Sequence, residues 1–204
     1  KDSWPLILGS IAASIYMQID QVMIKEMMGN EAVGYYAVSA RLSDLWLFIA
    51  IMITKSFLPA IISAKKISEE VYLFRLQYLY DILLKIAFLI SLLMVFFAFD
   101  IVTVLYGEEF LNSVQILIIY IWSIVFVYLS NVSTSYFLAE NMQFHASFRL
   151  IIGAIINIVL NVYFIKYYGL IGAAYATLIS YAISGYIYNM FFKIFGSKDV
   201  FLLL

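Results

Sequence analysis

At 204 residues, 65% of them hydrophobic, with a mean hydropathy of +0.99, the chain carries more apolar surface than a soluble core of that size can hide. A net charge of −1 offers nucleic acid no basic surface, so nucleic acid is not an expected partner. With no cysteine and one histidine, His145, the sequence excludes disulfide scaffolds, thiol catalysis and multi-histidine zinc sites, and neither a metal nor another cofactor is expected.

An α-helix needs about twenty residues to cross the hydrocarbon layer. Measured against that length the sequence predicts an all-α membrane protein, a bundle of six transmembrane helices, with spans at about 4–28, 32–62, 73–104, 110–139, 146–166 and 170–192. The first begins at Trp4 and closes at the turn Gly29-Asn30. The second bears Arg41, Asp44 and Lys55, with Pro59 near its end, where a kink is tolerable. Ser63 to Glu70 is polar and reads as a surface connection. The third span follows it and ends at the turn Tyr106-Gly107-Glu108-Glu109. The fourth contains no charge from Phe110 to Ala139. Glu140-Asn141-Met142-Gln143 breaks it, Tyr168-Gly169 separates the fifth span from the sixth, and residues 197–204 form a tail too short to cross again.

No cleavable signal peptide is visible. The chain starts at Lys1, without an initiator methionine, and reads as part of a longer protein. Lysine and arginine in short loops set orientation. Lys1, Lys65, Lys66, Arg75, Arg149, Lys193 and Lys198 fall on one side and only Lys25 and Lys166 on the other, so both ends are expected to be cytoplasmic.

Seven motifs follow one another along this frame. They are Ile19-Asp20-Gln21-Val22-Met23-Ile24, Gly34-Tyr35-Tyr36-Ala37-Val38-Ser39-Ala40-Arg41-Leu42, Phe57-Leu58-Pro59-Ala60 and Leu105-Tyr106-Gly107-Glu108-Glu109-Phe110. Leu138-Ala139-Glu140-Asn141, Asn157-Ile158-Val159-Leu160-Asn161 and Tyr168-Gly169-Leu170-Ile171-Gly172-Ala173-Ala174-Tyr175-Ala176-Thr177 complete the set. In this order they resemble the C-terminal half of the polysaccharide biosynthesis proteins, the O-antigen flippases, within the superfamily of multidrug, oligosaccharidyl-lipid and polysaccharide exporters. The resemblance implies two six-helix lobes around a cavity that opens alternately to either side. Residues 1–196 would be the C-terminal lobe and the missing N-terminal lobe its partner. The implied activity is movement of a lipid-linked oligosaccharide across the bacterial inner membrane for surface polysaccharide synthesis, with membrane lipid as the surrounding partner.

A polyprenyl-pyrophosphate sugar would lose the hydration of its head group in hydrocarbon, so a flippase must supply a wet polar groove. Ionisable side chains at membrane depth are where to look, because each costs about 2.5–3.5 kcal/mol there unless paired or hydrated. Arg41 lies about ten residues into the second span, roughly 15 Å from its outer end. Its guanidinium suits a phosphate, since it stays charged and can bind two oxygens at once. The alternative is an ion pair with Asp44, three residues on. Asp20, at similar depth, is a candidate for coupling to a proton or sodium ion. The alternative is a structural pair, as with Arg41, or a hydrogen bond to Gln21 and neighbours. Lys55 either snorkels to the surface or meets the pyrophosphate. Asp81 and Lys85 have the spacing of a helical ion pair, and Glu140 reads as a solvated helix end. Asn157 and Asn161 share one helix face and either line the cavity as substrate ligands or bond to a neighbouring helix.

No catalytic constellation is present, and no Gly-Lys-Ser phosphate loop, so an enzyme is not expected. A multidrug exporter of the same superfamily is the alternative within the fold. A membrane-bound polysaccharide transferase or polymerase would need larger aqueous loops than Ser63 to Glu70, and buried charges speak against a purely structural subunit.

Overall fold

The computed structural model describes residue 14 and residues 18–190. Most of the first expected span, the end of the sixth, and the tail at 197–204 lie outside the described residues. Among those described there is no strand. Four helical runs are long and apolar enough to cross a membrane: Asn30–Lys65, Glu69–Phe96, Asn112–Ala139 and Gln143–Met190. Four such runs stand where the sequence suggests six spans. The difference has two sources: most of the first expected span lies outside the described residues, and the last two expected spans fall in one continuous run.

Helix α1 is the helical stretch 18–28, and Gly29 (φ 92°) separates it from α2, Asn30–Asp44. Leu45 and Trp46 keep right-handed helical backbone angles, so α3, Leu47–Lys65, continues α2 with a kink. Pro59 lies inside α3 and has no N–H to return to the Lys55 carbonyl. Helix α4, Glu69–Phe96, starts where Ser68 Oγ accepts the Val71 N–H at 3.1 Å, with Glu69 and Glu70 in its first turn favoured by the positive helix end. α5, Ala98–Tyr106, prolongs it as far as Gly107. α6, Asn112–Tyr120, and α7, Ser123–Ala139, form the next kinked run.

The run Gln143–Ala182 is divided at Gly169, whose φ of 60° and ψ of −140° are not helical. Here the chain turns back on itself. His145 Nδ1 lies 2.9 Å from Tyr188 Oη, although 43 residues of straight helix would part them by about 65 Å. Gly169 is the residue that permits this, because a side chain at that φ would be strained. The arms, α8a (143–168) and α8b (170–190), then approach closely at Gly172, where an added β-carbon would sit 2.1 Å from the Phe164 carbonyl oxygen.

Gly29 and Gly169 turn at the same end of the bundle, since a β-carbon on Gly169 would lie 3.4 Å from Met28 Cε. The opposite end holds the turns after Lys65 and Ala139, joined by a 2.7 Å ion pair between Lys65 and Glu140. Glu140 also accepts the Tyr72 hydroxyl at 3.0 Å. It is therefore a clasp among α3, α4 and α7 rather than a free solvated end.

The larger core joins α3, α4 and α7 through side chains such as Ile61, Leu76, Leu83 and Tyr128. A smaller one joins α1, α2, α6 and the hairpin through Ile24, Tyr36, Ile116 and Ala173. Outside these cores, α4 turns Phe74, Tyr78, Phe88, Leu92 and Phe96 outward. A stripe that apolar belongs against lipid acyl chains.

Candidate functional site

Hairpin geometry brings residues equally far from a turn to the same level. Asp20 and Tyr36 lie nine and seven residues either side of Gly29, and Asn161 and Thr177 lie eight residues either side of Gly169. At about 1.5 Å per residue all four sit roughly 10–14 Å below the glycine end of the bundle. They meet there. Tyr36 donates its hydroxyl to Asp20 Oδ2 at 2.7 Å, Asn161 Nδ2 donates to Asp20 Oδ1 at 2.5 Å, and Thr177 Oγ1 is 2.6 Å from Oδ2. Asn161 Nδ2 also reaches Asn157 Oδ1 at 3.1 Å, and Thr177 Oγ1 lies 3.1 Å from the Ala173 carbonyl.

Asp20 is only 3% exposed, and Asn157 and Asn161 are fully buried. A lone carboxylate is costly in such a place unless hydrogen bonds or a cation satisfy it. The donors supply part of that compensation. Two atoms remain without a partner, Asn157 Nδ2 and Asn161 Oδ1. Half a turn of the Asn161 amide would replace its N–H donor with an oxygen. Asp20, Asn157, Asn161, Thr177 and the Ala173 carbonyl would then present a cage of hard oxygen donors with a single negative charge. No cluster of three or more acidic, histidine or cysteine side chains suited to a metal ion occurs among the described residues. One carboxylate among neutral oxygens suits a proton or a singly charged hard cation.

The other expected site residues lie elsewhere. Arg41 and Lys55 are exposed, and Asp44 is half-buried. Neither Arg41–Asp44 nor Arg41–Asp20 forms an ion pair; among the described residues the ion pair is Lys65–Glu140. Asp81 and Lys85 do not pair either, and Asp81 instead accepts from Gln77 Nε2 at 3.0 Å. Arg41, Leu45, Phe48, Met52, Lys55 and Pro59 recur at alternating steps of four and three, so they form one exposed stripe along α2 and α3. Its two cations are fourteen residues, about 21 Å, apart. Asn157 and Asn161, expected among the substrate ligands, face Asp20 in the sealed interior and not this stripe.

Sequence reasoning missed Thr177 and Arg149. The eight-residue symmetry of Asn161 and Thr177 about Gly169 was the available signal for the first. Arg149, counted above among the loop cations, is fully buried. Its signal was the four-residue spacing Arg149, Gly153, Asn157, Asn161, one buried helix face.

A family model, lipid II flippase MurJ, matches residues 2–198 of the chain. The chain belongs to the MurJ lipid II flippase family. Among solved structures, this MurJ-family chain resembles an outward-facing multidrug resistance MATE family transporter of the MOP superfamily, with 18% identity and a TM-score of 0.74. It also resembles a MOP superfamily transporter from Pyrococcus furiosus, described for the reverse polarity of its binding pocket, with 18% identity and a TM-score of 0.69. Each match covers 97% of this chain and 44% of the other, so the chain spans less than half the length of these neighbours. At that identity the likeness is one of fold. No curated protein matches. The solved structures of this fold carry the name of the exporter superfamily that the motifs resemble. The matched family is one of transporters and not of enzymes, that of the lipid II flippases and not that of the O-antigen flippases.

Proposed function

We propose that this chain is the C-terminal lobe of a flippase that carries a lipid-linked saccharide across the bacterial inner membrane, and that lipid II is its substrate. The carrying observation is the exposed stripe that bears Arg41 and Lys55, on a chain of the lipid II flippase family. Guanidinium and ammonium at membrane depth are tolerable where water reaches them, and a pyrophosphate is the anion both would hold. The stripe faces the missing N-terminal lobe and forms half of the cavity. Asp44, half-buried one turn from Arg41, offers an acceptor for sugar hydroxyls.

In this reading α1 completes the first of six crossings and the two arms of the hairpin are separate crossings, with both ends in the cytoplasm. Buried Arg149 leaves the count of loop cations, and the bias still favours that side. The Asp20 cage is the coupling site. It exchanges a sodium ion or a proton and, through α1, α2 and both hairpin arms, links ion occupancy to helix packing.

The second reading is an O-antigen repeat on the same carrier, supported by the seven ordered motifs. One assay separates the two. The intact protein, reconstituted in liposomes with fluorescent lipid II or a lipid-linked O-antigen repeat, is expected to move lipid II. Arg41→Ala should reduce that movement at least tenfold. Movement of the O-antigen repeat alone would favour the second reading, and export of cationic drugs with neither lipid moved would overturn both.

A further inference from the structure

Arg149 is the largest polar side chain sealed in the bundle, with no exposed surface, and no carboxylate among the described residues pairs with it. Its Nη2 donates to the Ser130 carbonyl at 2.7 Å and to Thr134 Oγ1, and its guanidinium lies 5.7 Å from the Phe137 ring centre. That satisfies two of its five N–H groups. Nε and Nη1 have no partner, which leaves three donors of a buried cation unused. A buried guanidinium held only by a carbonyl, a hydroxyl and a ring lacks the counter-charge that normally makes burial tolerable.

Polar side chains that keep partial exposure lie near it on three helical segments. Ser130 and Thr134 on α7, His145 on α8a and Tyr188 and Asn189 on α8b are each half-buried, and His145 Nδ1 and Tyr188 Oη are within hydrogen-bond distance. Asn189 donates to Ser133 Oγ at 2.6 Å while its own Oδ1 has no partner. Arg149 and Asn189 thus reach neighbouring positions on α7 from opposite arms of the hairpin, with partly exposed polar side chains as a rim beside them. Arg149 and Asn189 each lie 20 residues from Gly169, one along α8a and the other along α8b, about 30 Å from the turn, and so at the far end from the Asp20 cage.

We propose that Arg149 is the anchor of a second site, one that takes a phosphate-type oxyanion through this rim. A phosphate supplies the missing charge and accepts several N–H groups at once, in the planar geometry a guanidinium offers. The chemistry is shared by free phosphates, lipid head groups and lipid-linked pyrophosphates. The site stands apart from the Arg41–Lys55 stripe and does not depend on what that stripe carries.

The test is chemical protection in the unmutated, intact protein, purified in a maltoside detergent that contains no phosphate. Glyoxal modification of Arg149 is followed by mass spectrometry alone, with inorganic pyrophosphate, and with phosphatidylglycerol micelles. Saturating pyrophosphate should slow modification about tenfold or more, protection growing with ligand over dissociation constant. Protection by phosphatidylglycerol without pyrophosphate would identify a lipid head group as the occupant and also support the site. Equal modification of Arg149 in all three conditions, including none at all, overturns it, because a pocket closed to glyoxal is closed to phosphate. Protection at Arg41 is read separately and bears only on the transport stripe.

Discussion

Asp20 is surrounded by donors that compete with a cation for the same oxygens, and this makes its neighbours unequal in their effects. Thr177→Ser keeps the hydroxyl, whereas Thr177→Val removes an oxygen from the cage and one hydrogen bond from the carboxylate. The valine variant is expected to lose about 1–3 kcal/mol of stability and to weaken ion dependence, with serine near the original, as read by thermal unfolding with and without sodium. Asp20→Asn removes the only charge in the cage, so transport measured at several external pH values and sodium concentrations should lose its ion dependence altogether. An unaltered profile would dismiss Asp20 as the coupling residue. Lys65→Met is the contrasting case. That pair is 45% and 24% exposed, so the substitution is expected to cost less than about 1 kcal/mol. Residue identity alone pointed to Asp20, Arg41 and Lys55, because charge in an apolar run is conspicuous. It did not point to Thr177, since a threonine gains its role only when a second helix delivers it to a carboxylate. Nor did it separate Arg149 from the loop cations, because its depth depends on where α8a begins.

The last hairpin carries the site from both sides, and its arms are held together where Gly172 leaves room for the Phe164 carbonyl. Gly172→Ala would place a methyl group in that space and push the arms apart. We expect it to lower stability by about 1–3 kcal/mol and to loosen the Asp20 cage with it, seen as a lower unfolding temperature together with weaker sodium stabilisation. Loss of stability with ion affinity intact would separate the hairpin's packing from its role in the cage. Apolar runs and their breaks were legible in the sequence. The turn at Gly169 was expected from Tyr168-Gly169, and the kinks at Leu45-Trp46 and Ile121-Trp122 were not, since neither carries glycine or proline. Which face of each helix turns inward was less legible, because a helix in lipid is apolar all round and its periodicity no longer marks the buried side.

At the scale of the molecule, the chain has the fold of less than half of a MOP-superfamily transporter, and its exposed faces divide in two. One, on α4, carries large apolar side chains and belongs to lipid. The other, on α2 and α3, carries Arg41 and Lys55 and belongs, in this account, to a hydrated cavity. The chain has no cysteine, so single cysteines introduced into it report on these faces within a parent made free of cysteine elsewhere. The most direct measurement is the labelling of Arg41→Cys, Lys55→Cys and Phe88→Cys in membranes by a charged, membrane-impermeant methanethiosulfonate. Labelling at 41 and 55, slowed by added lipid II, with position 88 inert, is the result this account predicts. Positions 41 and 55 as inert as 88 would contradict it, for a stripe that water never reaches cannot guide a pyrophosphate across the membrane.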